Sequence, residues 1–432
     1  MKCYKVIIIG AGARGTNYAK HMKKMPDKFQ IVGVAEPLRE RRENMKQMFD
    51  LPDEACYEDW EELLSKPKMA DIAVIATMDD MHYEPALKAI EAGYDLVLEK
   101  PVAQTEKECI DIALAAKKKG VRVLVCHVLR YTPFYKAVKK LVLDGAVGDI
   151  VSVIAVEAVG TVNFSHSYLR GDWHRVEETT PMLLAKCCHD LDIIQWLVDK
   201  PCKKVSSFGE LTHFLPENAP EGAPKRCIDG GCPVSDTCPY ECRKFYIDSP
   251  EDYWCRRAVG RGIAKEYMPT DEEVVQGLKT TNFGACVYHA NSNVVDHQIV
   301  NLEFEGGVTA SLTMNGFNKG GRYIRIFGTK GELYANASDT EITVFSLEGR
   351  NISKTLVPKT LESIAGGHGG GDYGMVEELY DYFSDNYTGY CAADIDTSVK
   401  NHIIGFAAEK ARHNDTVEYV AQFSKEHGYE YC

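Results

Sequence analysis

The chain has 432 residues, 45% of them hydrophobic and 26% charged, with a formal net charge of −13. That length is enough for two or three domains with cores of their own. The excess of acid argues against nucleic acid and anionic membranes as partners, since both ask for a basic surface, and no apolar run reaches the length that spans a bilayer.

Residues 5–9 are a near-continuous apolar run that passes directly into Gly10-Ala11-Gly12-Ala13-Arg14-Gly15. After it, Tyr18, Met22 and Met25 recur at helical spacing. A buried strand opening through glycines into a helix is the context in which a G-x-G-x-x-G pattern signifies a dinucleotide site. Gly10 allows the tight turn, Gly12 the approach of backbone to a pyrophosphate, and Gly15 the close packing of helix on strand. Ala13 and Arg14 fall at the helix N-terminus, whose free N–H groups and positive dipole end suit phosphate. Only four residues precede this strand, which leaves no room for a signal peptide and points to a cytoplasmic location. A second strand, 30–35, ends in Glu36, 21 residues beyond Gly15, where a carboxylate can accept hydrogen bonds from the adenosine ribose. The acid disfavours a ribose phosphate and so favours NAD. Arg39, Arg41 and Arg42 follow closely, however, and an arginine there would suit NADP.

The alternation continues with a strand at 71–76, a loop at 77–81 and a helix at 82–92. A strand at 95–98 then ends in Glu99-Lys100-Pro101, and a helix at 105–119 leads to a strand at 121–126. Strands separated by helices of this length predict a parallel, doubly wound sheet over residues 1–126. Loops at its carboxyl edge face the cofactor crevice, which assigns Thr77, His82, Glu99 and Lys100 to it. After a helix at 135–143 the pattern changes. Strands are expected at 151–159, 204–210, 282–291, 298–304, 308–315, 323–328, 331–335 and 341–346, interrupted by helices at 181–197, 375–383 and 398–411. Alternation such as Thr309, Ser311 and Thr313 against Ala310, Leu312 and Met314 predicts antiparallel strands with one buried face. Residues 127–432 therefore read as an α+β domain with a large, mostly antiparallel open sheet, carrying a Cys-rich insert at about 213–280.

Several residues in this second half carry chemistry. Lys186 and His189, three apart on the expected helix, share a face among Leu183, Leu184, Cys187 and Cys188, where a charge is costly unless it lines a cavity. Tyr168, Arg170, Trp173 and His174 combine aromatic faces for stacking on sugar rings with groups that bond hydroxyls. His368 lies in the glycine-rich stretch 366–373, in which Asp372 is a plausible N-cap. Cys227, Cys232, Cys238 and Cys242 lie within 16 residues and suit either a structural zinc or free thiols. The other cysteines of the fifteen read as reduced thiols.

Taken in order, these motifs resemble the glucose-fructose oxidoreductase / inositol dehydrogenase / MocA family. The resemblance rests on the glycine turn, Glu36, Ile75-Ala76-Thr77 with His82, Glu99-Lys100-Pro101 and Arg130-Tyr131-Thr132-Pro133. It extends through residues 145–150, His189-Asp190-Leu191-Asp192 and residues 327–331, and so covers the chain end to end. It implies a Rossmann domain joined to a larger α/β domain, a tightly held nicotinamide cofactor, sugar or cyclitol-like substrates, and homodimers or homotetramers built on the open sheet. It makes Lys100 the lysine at the substrate hydroxyl, Glu99 its neighbour near the nicotinamide ribose, and Arg130 a residue close to the nicotinamide. His189 matches the family's catalytic histidine, but the aspartate four residues upstream is Ala185 here, so Lys186 is expected to take its place. The function expected is hydride transfer between NAD(P) and a hydroxyl or carbonyl of a sugar, sugar acid or cyclitol. The alternatives are an NAD-dependent glycosidase working by transient oxidation and elimination, and a non-catalytic cofactor-binding protein.

Overall fold

The computed structural model describes residues 2–248, 253–357 and 367–431. The N-terminal sheet has six parallel strands: β1 (Tyr4–Ile9), β2 (Phe29–Ala35), β3 (Cys56–Tyr57), β4 (Ile72–Ile75), β5 (Asp95–Leu98) and β6 (Val123–Val125). Their order is β3-β2-β1-β4-β5-β6. β1 and β4 are buried along nearly their whole length, as apolar runs covered by helices on both faces must be. Strand order reverses beside β1, which lies between β2 and β4. Ligands bind beyond the carboxyl ends of the strands at such a switch point.

The second sheet has nine strands: β7 (Ile150–Ala158), β8 (Cys202–Glu210), β9 (His297–Phe304), β10 (Thr309–Asn315), β11 (Gly321–Gly328), β12 (Gly331–Asn336), β13 (Glu341–Ser346), β14 (Ile352–Leu356) and β15 (Glu418–Tyr419). They run in the order β14-β13-β12-β11-β7-β10-β9-β8-β15, antiparallel except where β7 meets β10. One face buries Val153, Leu312, Leu302, Ile324 and Leu333 against helices. The other leaves Ile154, Phe208, Ile299 and Tyr334 more than a third exposed. The helix Ile395–Asn414 packs on β8, on the helix Cys188–Val198 and on the helix Glu106–Lys119, which welds the two sheets together.

Two expected elements differ. The helix at 181–197 is two helices, Met182–Ala185 and Cys188–Val198, broken at Lys186 (φ −113°) and Cys187. The strand at 282–291 does not form. Asn282–Gly284 is a single 3-10 turn whose Asn282 amide donates to the Arg170 and Ala290 carbonyls, while Phe283 is buried in the insert's own core. The insert, between β8 and β9, carries a separate small core that includes Ile228, Phe245, Tyr246, Val259 and Leu278.

Candidate active site

The turn after β1 is built for close backbone approach. Gly10 has φ +86°, and a Cβ on it would lie 2.6 Å from the Ala76 carbonyl oxygen. A Cβ on Gly15 would lie 2.0 Å from the Gly10 carbonyl oxygen, so neither position admits a side chain. Gly12 caps the helix Ala13–Lys23, and among the described residues the heavy atom near its would-be Cβ is Nη1 of Arg41 at 3.4 Å. Glu36 is 3% exposed and turned toward this turn. Its carboxylate accepts from the Ala11 N–H at 2.8 Å and the Leu38 N–H at 3.0 Å. Burial pushes the Arg41 guanidinium below its ordinary pKa, while Glu36 pulls the other way. Arg42 is tied to the Glu36 carbonyl and to Glu58, and Arg39 is exposed. A bare glycine turn at a helix N-terminus, with an acid beside it, fits the adenosine diphosphate half of a dinucleotide.

Arg14 turns away from that cradle. Nε donates to Glu99 at 2.8 Å, and Nη1 and Nη2 donate to Asp372 at 2.8 and 2.6 Å. Nη2 also donates to the Tyr18 hydroxyl, which donates to Glu99. Burial alone would raise both carboxyls. Arg14 and Lys100 hold Glu99 low instead, and hydrogen bonds from Arg14 and His368 hold Asp372 far below the usual carboxylate range. Arg14 thus ties the first helix to the turn after β5 and to the helix Gly371–Phe383. Asp372 is not the N-cap of that helix, a place taken by Gly370. It sits inside the first turn and serves as the anchor for Arg14, Asn17 and His368.

Lys100 stands at the carboxyl end of β5, in a turn whose Lys100–Pro101 peptide is cis. Its backbone N–H donates to Glu99, and its Nζ donates to the Ala185 carbonyl at 2.8 Å. The position that resemblance assigned to a carboxylate therefore still meets Lys100, but through a main-chain oxygen. His82 is fully buried and spans the Pro101 carbonyl at 2.7 Å and the Thr77 carbonyl at 3.2 Å. It joins the turns after β4 and β5 and so positions Lys100, while the Thr77 hydroxyl donates to Met81.

His189 is 3% exposed, and neither ring nitrogen has a hydrogen-bond partner among the described residues. Burial first, then the charges of Lys100, His368, His127 and Arg322, hold it well below the ordinary imidazole pKa, so it is neutral. Its ring lies 5.6 Å from His368 and 6.0 Å from His127. His127 is also buried; neither nitrogen is hydrogen-bonded among the described residues, Nδ1 lies 3.8 Å from Asp192, and burial lowers its pKa to about 4. Lys186, expected in the place of the family's aspartate, meets an acid instead. It sits at the helix break, and its Nζ is 3.5 Å from Glu157 on β7, which also binds Arg322 at 2.7 Å. Arg322 reaches Asp190 at 2.9 Å, and burial together with Glu157 pushes the Asp190 carboxyl up to about 6. Glu157 and Arg322 escaped the sequence reading, although an acid in the buried register of a core strand is itself a signal.

The remaining candidates separate. Arg130 is 3% exposed and pairs with Asp192 at 2.7 and 2.6 Å, with Trp196 beside it. Tyr168 is buried beside Trp173, whose Nε1 donates to Asp79 in the loop after β4. His174 lines a cavity of about 360 Å³ with Met78, Asp80, Asp172, Arg261 and Phe283, and its Nδ1 meets the Gly171 carbonyl. Arg170 is committed to the Ala285 and Tyr240 carbonyls on the insert side. His368 has φ +54° and pairs with Asp372 at 3.1 Å; Gly366 of its glycine run lies outside the described residues. The four expected cysteines are not gathered as one ligand set. Cys242 belongs to the insert's core and sits with Cys227 and Glu241, while Cys232 and Cys238 line a chamber to one side.

Two family models match: the NAD-binding Rossmann fold of an oxidoreductase family over residues 4–127, and the C-terminal alpha/beta domain of the same family over residues 139–418. The chain belongs to the glucose-fructose oxidoreductase / inositol dehydrogenase / MocA family of oxidoreductases. Among its relatives, the oxidoreductase YteT of Bacillus subtilis (strain 168) is 25% identical over 73% of this chain and 73% of its own length. The 2,7-anhydro-N-acetylneuraminate hydratase of Escherichia coli (strain K12) is 26% identical over 48% of this chain and 54% of its own. The scyllo-inositol 2-dehydrogenase (NADP(+)) IolW of Bacillus subtilis (strain 168) is 31% identical over 34% and 39%. Levoglucosan dehydrogenase in complex with NADH and L-sorbose shares the fold, with a TM-score of 0.68 at 18% identity, covering 97% of this chain and 99% of that one. Family members of this kind act on CH–OH groups. Among the described residues, no helix is long and apolar enough to cross a membrane.

Proposed function

We propose that this oxidoreductase transfers a hydride between NAD, in preference to NADP, and a secondary hydroxyl or the matching carbonyl of a sugar, sugar acid or cyclitol. The observation that carries the reading is His189: a buried, neutral imidazole with neither nitrogen hydrogen-bonded among the described residues, beside the Lys100 ammonium at the carboxyl edge of the dinucleotide sheet. Buried polar atoms are rarely left unsatisfied without a functional reason.

The nicotinamide, when bound, supplies the hydride acceptor and donor. Lys100 has three N–H donors and gives one to Ala185, so two remain for a substrate oxygen. Its charge stabilises the alkoxide that develops as the C–H bond weakens. The Ala185 carbonyl accepts a hydrogen bond and orients the ammonium without offsetting its charge. His189, being neutral, accepts the hydroxyl proton and returns it in the reverse direction. Glu36, held by the Ala11 and Leu38 N–H groups, takes the adenosine ribose and repels a phosphate there. Trp173 and Tyr168 supply aromatic surface near the sugar ring.

A second reading follows from the hydratase among the relatives, whose named reaction involves no net oxidation. The same lysine and histidine would then serve a transient oxidation followed by elimination, as in an NAD-dependent glycosidase. The outward face of the nine-stranded sheet, with Ile154, Phe208, Ile299 and Tyr334 exposed, suits pairing with a second copy of the chain. The test is to give the protein NAD and a panel of sugars, sugar acids, cyclitols and aryl glycosides. Substrate-dependent NADH absorbance supports the first reading. Release of nitrophenol without net NADH supports the second, and neither signal refutes both.

A further inference from the structure

Within the insert between β8 and β9, the helix Tyr253–Val259 ends in a turn through Gly260-Arg261-Gly262. A Cβ on Gly260 would lie 2.6 Å from Cβ of Pro269, and Gly262 has φ +70°, so both glycines are needed to make the turn. The side chain between them is aimed by Asp172 of the second domain, which accepts from Arg261 Nη2 at 2.6 Å and Nη1 at 3.1 Å. Three observations carry this stretch across to the dinucleotide domain. Tyr267, whose hydroxyl accepts from Arg257, has its ring 5.8 Å from Nζ of Lys20, on the helix that leaves the glycine turn. Arg261 lines the cavity of about 360 Å³ together with Met78 and Asp80, from the loop after β4. It also lies within reach of the charges of Glu36 and Arg41. The insert therefore reaches from the carboxyl end of β4 to the first helix, across the switch point where a dinucleotide belongs.

Donors on both sides of this crossing lack acceptors. Nε of Arg261 is buried with no hydrogen-bond partner among the described residues. Arg41, whose Nη1 stands over Gly12, has no hydrogen bond or ion pair to its guanidinium among the described residues. The Glu36 carboxylate already accepts from the Ala11 and Leu38 N–H groups. Leaving a buried N–H unmet costs free energy, and such a donor marks a place where something else supplies the acceptor. An adenosine diphosphate supplies phosphate oxygens, ribose hydroxyls and ring nitrogens, and a guanidinium both forks onto phosphate and stacks on an aromatic base.

We propose that the insert is a strap over the adenosine diphosphate half of bound NAD, Arg261 donating to that half from the insert and Arg41 from the dinucleotide domain. The proposal rests on the dinucleotide reading of the glycine turn and adds to it a residue from outside the Rossmann domain. Release of the cofactor then requires the Gly260–Gly262 turn to lift, so dissociation is slow. Asp172, which aims Arg261, is followed directly by Trp173, whose Nε1 donates to Asp79 in the loop after β4, so the strap is anchored on the substrate side of the same crevice.

The test reads binding. The full chain, stripped of copurified nucleotide, is titrated calorimetrically with NAD, ADP-ribose and nicotinamide mononucleotide. Arg261→Met is expected to weaken NAD and ADP-ribose by about tenfold to a hundredfold, the range of one lost hydrogen bond to a charged group, and to leave the mononucleotide unchanged. Release of NAD, followed by stopped flow, should quicken by a similar factor. Far-UV circular dichroism and the Tm without nucleotide separate loss of binding from loss of fold. Hydrogen exchange on the wild-type protein needs no variant: NAD and ADP-ribose should protect residues 254–268, and the mononucleotide should not. Unchanged NAD and ADP-ribose affinity in Arg261→Met, or bound NAD without protection of 254–268, would overturn the strap and leave the dinucleotide reading standing. So would a variant that binds NAD as the wild type does and loses only substrate affinity, which would give the cavity to the substrate. A wild-type protein that binds neither NAD nor ADP-ribose would overturn the dinucleotide reading and the strap with it.

Discussion

Replacing Arg14 by methionine tests whether this side chain is a tie or a reader of cofactor. In the wild-type protein it binds two carboxylates whose side chains are 0% and 5% exposed, Asp372 and Glu99. Removing one partner from a buried ion pair costs about 3–5 kcal/mol, because the remaining charge is left uncompensated. Arg14 is itself 28% exposed, which places the expected loss near the lower figure, about 3 kcal/mol. For domains of this size that corresponds to a fall in Tm of roughly 6–12 °C. Urea unfolding followed by circular dichroism measures it, and the double variant Arg14→Met/Asp372→Asn should recover about 1–2 kcal/mol by removing the orphaned acid. The sign with pH is fixed by Asp372, whose folded pKa is depressed. Its contribution is present above its unfolded pKa of about 3.9 and lost as pH falls toward the folded value, so the deficit of Arg14→Met should be largest near neutrality. A stability change below about 1 kcal/mol with a large loss of NAD affinity would refute this reasoning and return Arg14 to the cofactor.

Gly15→Ala places a methyl 2.0 Å from the Gly10 carbonyl oxygen, so NAD should no longer raise the Tm of the variant; retained stabilisation by NAD would contradict the close packing of helix on turn. Glu36→Ser removes the charge facing a ribose phosphate and should shift the NADP-to-NAD ratio of kcat/KM upward by about tenfold or more; an unchanged ratio would mean that Glu36 does not read the ribose. Burial lowers His127 to about 4 and His166 and His402 to about 3. Because the unfolded chain binds these protons first, each removes about 2 kcal/mol of stability between pH 7 and pH 5. Asp190, pushed up to about 6, gains protons in the folded state and offsets about 1 kcal/mol of that loss. Urea midpoints should therefore fall steeply over this interval, and flat midpoints would show that the three histidines are not buried neutral.

The dinucleotide half was legible because its signals are local. An apolar strand, three glycines and an acid at fixed spacing need no knowledge of the rest of the chain, and the same holds for Glu99-Lys100-Pro101. The second half depends on contacts distant in sequence. The break at Lys186 carries no proline or glycine, and residues 282–291 alternate as a strand would because Phe283, Ala285 and Val287 are buried, though in irregular backbone. β14 was missed because four of its five residues are exposed and show no buried face, and β15 because it is two residues long. The resemblance placed Arg130 near the nicotinamide and Lys186 beside His189, and nothing in the sequence announced that Asp192 would pair with the first and Glu157 lie beside the second. Such pairings are set by which charges burial brings together, and no spacing rule reports them.

The account stands most directly on single-turnover hydride transfer, followed as NADH absorbance with a substrate found in the panel. Lys100→Met and His189→Gln should each slow that step by at least about a hundredfold while NAD, titrated by quenching of tryptophan fluorescence, binds as in the wild type. Either variant transferring hydride at the wild-type rate would contradict the pairing of ammonium and neutral imidazole on which the mechanism rests.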